Sequence, residues 1–123
     1  MIRTSLAAAA LFASVTAGAQ SVAPAQGPAR PLSMQQQAAL KCSAAFALGA
    51  TAQGRGEGRG WPVLAARGRE YFVRTSAAIM DATGLTRDEV SAELAAQARQ
   101  LARPGELEAA MPPCLVLLDA SGL

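Results

Sequence analysis

The 123-residue chain has no histidine, and Lys41 is its only lysine. The missing imidazole removes the commonest general base, the Ser-His and Cys-His nucleophile pairs and most zinc sites. Ser-Lys chemistry would have to pair Lys41 with a nearby serine. Ser43 is two residues away and points elsewhere on a helix. Acidic residues are sparse, nine in all, and none is spaced as a calcium loop. Glu70 and Asp81 are eleven residues apart on one expected helix, roughly 16 Å at its rise per residue. The chain therefore reads as a non-enzyme without cofactor or metal. Removing Arg3 with the first 19 residues leaves ten basic side chains against nine acidic ones, a balance near +1. So weak a charge argues against capture of nucleic acid or an anionic membrane surface.

Long apolar runs are also lacking. Residues 1–19 carry a basic residue, Arg3, then a short apolar run and Ala17-Gly18-Ala19, a small-x-small cleavage pattern. That is the layout of a secretory signal peptide cut after Ala19. The run is too short for a comfortable span, and no later segment is long enough. The expected address is periplasmic or secreted, with no integral span after cleavage. Residues 20–32 are mostly Pro, Gly, Ala, Ser and Gln without periodicity, which reads as a mobile tail. A single domain is expected over residues 33–123.

Only two cysteines are present, Cys42 and Cys114. In an oxidising compartment they predict one disulfide closing a loop of about 70 residues. The chain-entropy model assigns such a loop roughly 4 kcal/mol. The spacing is far from C-x-x-C, so a thioredoxin-like redox role is not expected.

What the chain does have is alanine and leucine with few β-branched residues, a composition that favours helices. The expected fold class is all-α: a small helical bundle of four to five helices stapled by one disulfide. Ser33 with Gln36 makes a capping box that opens a first helix, running to about Ala52. Ala38, Cys42, Ala45 and Gly49 give that helix one face of small residues. Leu40, Ala44, Ala47 and Leu48 give it a second apolar side. Residues 53–60, QGRGEGRG, alternate with glycine and match neither phosphate-loop fingerprint, so they read as a flexible connector. Arg55 and Arg59 are its candidate anion or partner contacts.

A second helix is expected from Pro62 at its first position to Gly84 beyond its end. Placed at 100° per residue, Leu64, Gly68, Tyr71, Phe72, Thr75 and Ile79 share one face. Ala66, Val73, Ala77 and Met80 fall almost opposite. A helix apolar on two sides packs against neighbours on both, so this one is expected at the centre of the bundle or of a dimer. Its charged stripe holds Arg67, Glu70 and Arg74. Arg67 and Arg74 are further candidate contacts for an anion, although both have Glu70 at ion-pair spacing. Phe46, Trp61, Tyr71 and Phe72 are the expected core aromatics.

The third helix has the clearest start. Thr86 and Glu89 form a capping box, and Leu85 and Val90 a hydrophobic staple. It should run to about Ala102 and form a tight helical hairpin with the second. A short helix over 106–111 should end at Pro112-Pro113. A last apolar turn from Cys114 to Asp119 should be buried all round, with Ser121 to Leu123 as a frayed end.

The pattern is that of small exported helical proteins held by one disulfide, a likeness of architecture that carries no function. Three roles suit it. The first is an interaction module for another exported protein or a second copy of itself. The second is an acid-stress holdase. The third is a carrier for a small apolar ligand, lined by the four aromatics.

Overall fold

The computed structural model describes residues 29–123. The signal segment 1–19 and most of the tail 20–32 lie outside them. The described chain is all-helical and contains four helices: α1 (Met34–Gly54), α2 (Ala65–Thr83), α3 (Arg87–Leu101) and α4 (Glu106–Ala120). No helix among the described residues is long and apolar enough to cross a membrane.

The starts of α1 and α3 follow directly from their caps. Ser33 Oγ accepts from the Gln36 amide at 3.1 Å, and Gln36 Oε1 accepts from the Ser33 amide at 2.9 Å. Thr86 and Glu89 repeat the exchange at 3.2 and 2.7 Å. Each box satisfies two amides that a helix start otherwise leaves unpaired. The Thr86 amide also holds the Glu89 carboxyl below the usual carboxylate range. Gly84 ends α2 with φ 78° and donates its amide to Met80 O.

The centre of the bundle is α1, not α2. It packs against all three other helices, which touch one another far less. Cys42, Ser43, Ala44, Ala45 and Phe46 are buried in succession. Five successive residues go all the way round a helix, so this stretch is enclosed. Its small side chains let neighbours close in on every side. Gly68 shows how near α2 comes: a Cβ there would lie 2.8 Å from Phe46 Cβ. The second apolar side expected of α2 is open to solvent instead, except at Met80, which is half-buried against Ile79 and Val90. Ala66 and Ala77 are exposed and Val73 is 52% exposed.

α4 departs most from expectation. It runs unbroken through Pro112 and Pro113. Each proline removes one amide donor, leaving the carbonyls of Glu108 and Ala109 without their usual partners. Glu108, Ala109, Pro112 and Pro113 are all exposed, so that loss falls on the water side. Met111 and Cys114, flanking the pair, are buried. Cys114 is bonded to Cys42 with a Cα–Cα distance of 5.1 Å, which fixes α4 on α1. The last turns are not buried all round: Val116 is 67% exposed, because α4 lies on α1 with one side only.

Three connections are more ordered than their composition predicts. Gln53, at the end of α1, accepts from the Leu64 amide at 3.1 Å and donates to Pro62 O at 2.8 Å. This stitch closes the glycine-rich loop and delays α2, which starts at Ala65 rather than at Pro62. The end of the tail is docked too. The Arg30 amide donates to Thr83 O at 2.8 Å, and Leu32 packs against Leu40, Ile79 and Val90. Finally, Leu123 is half-buried, and its carbonyl accepts from Arg67 Nε at 2.8 Å.

Candidate functional site

The α2–α3 hairpin lies over α1, and its two ends pack differently. Near the connecting turn, Leu40, Ile79 and Val90 form a closed cluster with Leu32, Met80 and Leu85 around it. Toward the other end, α2 and α3 leave a groove of about 550 Å³ open to solvent. Its floor is α1, through Ala44, Ala47 and Leu48. The α2 wall presents Leu64, Gly68 and Phe72, and the α3 wall Leu94, Ala95 and Ala98. The hollow has a simple cause. Where the turn end fills the three-helix space with Leu, Ile and Val, this end sets Ala44, Ala47, Gly68, Ala95 and Ala98 among its larger residues, and their short side chains leave the space unfilled.

Two serines and one charged residue interrupt the apolar lining: Ser43, Ser91 and Arg69. The Ser43 hydroxyl is already committed, donating to Ala39 O at 2.9 Å. Ser91 and Arg69 are exposed on the rim. Volume and lining suit a small apolar ligand or an apolar segment of a larger one.

The core aromatics divide. Phe46 is buried beneath the groove with Tyr71 edge-on to it, ring centroids 5.2 Å apart. Burial pushes the Tyr71 phenol up from its ordinary value. Phe72, placed in the core by its wheel position, is 39% exposed and forms part of the α2 wall. Trp61 is half-buried and lines a different and more polar hollow, with Leu101 and Leu107. The four aromatics do not form one pocket.

The four arginines expected to meet an anion also lie apart, and each is engaged within the chain. Arg55 pairs with Glu57 at 3.1 Å, and Arg59 donates to Gly56 O at 3.1 Å. The Arg55 guanidinium holds the Glu57 carboxyl below its usual range. Arg74 pairs with Glu70 at 2.9 Å, as the i,i+4 spacing predicts. Arg67 does not share Glu70. It reaches Asp119 on α4 at 2.8 Å, a partner invisible to local spacing. Arg69, which helical periodicity did not single out, is the cation that stands at the groove. It has no ion-pair or hydrogen-bond partner among the described residues. The available signal was its place one turn before Phe72 on a helix wall.

Among the described residues, no three His, Cys, Asp or Glu side chains gather to hold a metal ion. Both cysteines are in the disulfide. Searches against protein-family models, curated proteins and solved structures found no match. A disulfide fits an extracellular or periplasmic protein.

Proposed function

We propose that this chain is an exported, non-enzymatic binding module that works through the groove between α2 and α3. The groove itself carries the reading: about 550 Å³, apolar almost throughout, open on one side and built on a disulfide-locked bundle. The opening segment of residues 1–19 and the disulfide together support a periplasmic or secreted address. Because the floor and walls are helices, the site is preformed, and a ligand binds without ordering a loop. That favours the carrier form of the reading, in which an apolar molecule lies on α1.

A protein partner is the second reading. It is supported by the exposed Phe72 and Val73 on α2, beside and beyond the groove wall. Another exported chain, or a second copy, would lay an apolar helix there. The acid-holdase role has less support. Glu57, Glu70, Glu89 and Asp119 make their contacts at exposed positions, so their protonation releases no buried apolar face.

Backbone-amide NMR of the oxidised protein titrated with 1-dodecanol tests the proposal. Shifts concentrated on residues 44–50, 64–72 and 91–98 are the expected result. Absent shifts, or shifts spread evenly over the bundle, overturn it. Light scattering at neutral pH separates the second reading. A stable dimer that Ala47→Trp converts to a monomer would assign the groove to a second copy.

A further inference from the structure

The groove differs from an ordinary apolar hollow in one respect. Among the described residues it is lined by a single charged side chain, that side chain is a cation, and the cation has no ion-pair or hydrogen-bond partner there. Arg69 stands on the α2 wall between Ala65 and Phe72. Three other arginines of the bundle, Arg55, Arg67 and Arg74, each hold a carboxylate. No acidic side chain among the described residues lines the groove. Inside, the one buried hydroxyl, on Ser43, already donates to Ala39 O. Nothing in the floor therefore asks for a polar ligand body, and only the rim asks for charge.

Resting on the groove as the binding site, we infer that its ligand is a single-chain amphiphile with one carboxylate head: a free fatty acid. The alkyl chain lies on Ala44, Ala47 and Leu48, where burial of each methylene is favourable. The head stays at the rim and accepts from the Arg69 guanidinium. A planar fork of donors matches a carboxylate in two parallel bonds. One arginine balances one negative charge, which suits a monoanionic head better than a doubly charged phosphate. A cationic amphiphile would bring its charge against Arg69 and be rejected.

Calorimetry on the full oxidised chain tests this, with dodecanoate, 1-dodecanol, dodecyl phosphate and dodecyltrimethylammonium below their micelle concentrations. Dodecanoate should bind one to one and most tightly, and the ammonium at least about ten-fold more weakly. Arg69→Gln should weaken dodecanoate by about three- to five-fold, the range of an exposed ion pair, and leave dodecanol unchanged. Ala47→Trp and, independently, Ala95→Phe should block all four probes, with circular dichroism confirming the fold. Both alanines are exposed, so the added rings enter the groove without repacking the core.

Equal binding of dodecanoate and dodecanol, unaltered by Arg69→Gln, overturns the fatty-acid assignment and leaves the groove as an apolar site. Preference for dodecyl phosphate overturns the carboxylate head. Binding of none of the probes overturns both the assignment and the groove as a ligand site.

Discussion

The turn end and the open end of the α2–α3 hairpin rest on the same face of α1, yet one is filled and the other hollow. At the turn end, Leu40, Ile79 and Val90 meet at 1–3% exposure, with the Leu32 side chain closing over them. At the open end, Ala44, Ala95 and Ala98 border a hollow. Both ends are apolar, so hydrophobicity does not separate them. The share of small side chains does, with Ala44, Ala47, Gly68, Ala95 and Ala98 on the groove's floor and walls. The filled end has the anchoring devices as well: the Thr86–Glu89 capping box, the Leu85–Val90 staple and the Arg30–Thr83 hydrogen bond.

The largest effect is expected away from both ends. Replacing Cys42 and Cys114 together by alanine should cost about 4 kcal/mol in denaturant unfolding, because the loop closes 72 residues of sequence separation. It should leave the contrast between the two ends unchanged in any variant that still folds. Ile79→Ala should come next, at about 2–4 kcal/mol, since its neighbours cannot collapse into the space. A cost under 1 kcal/mol would mean that the turn end is as loosely packed as the groove. Gly68→Ala should cost about 1–2 kcal/mol, since the new methyl meets Phe46 Cβ at 2.8 Å.

Ala98→Leu should reverse the sign. Filling the groove ought to stabilise by about 0.5–1 kcal/mol in the same unfolding experiment, through added apolar burial. A loss above 1 kcal/mol would show that the open end has no room. The smallest effect concerns pH. Glu89 has a lowered carboxyl in the fold, so its contribution is present above the ordinary glutamate value and lost as pH falls through the folded one. Glu89→Gln keeps the capping geometry and should flatten this acid dependence in thermal melts from pH 6 to pH 2. An unchanged slope would remove the Thr86 cap from the forces that anchor the turn end.

Local signals were legible where the interaction they announce is itself local. Ser33-Gln36 and Thr86-Glu89 act across three residues, Gly84 across one helix turn, and Glu70-Arg74 across four residues. All stand where spacing put them. The disulfide was legible for a different reason, since two cysteines allow one pairing. Arg67 shows the limit. Spacing offered it Glu70, but Asp119, 52 residues away, takes it, because α4 returns beside α2. Phe72 shows another. Periodicity put it on the inward face of α2, which is correct, but the groove leaves that part of the face uncovered.

The amino-acid sequence by itself determined the helical class, the capping boxes that open α1 and α3, the glycine stop of α2, and the covalent staple. These depend on backbone hydrogen bonding and chain chemistry within a few residues, or on an elimination. Tertiary structure alone decided that α1 is central, that α4 continues through two prolines, and that the hairpin is filled at one end and open at the other. Each of those outcomes turns on how side-chain volumes from distant segments meet. A small residue marks a close helix contact at Gly68, against Phe46, and borders a hollow at Ala98, and only the position of the neighbouring helix tells the two apart.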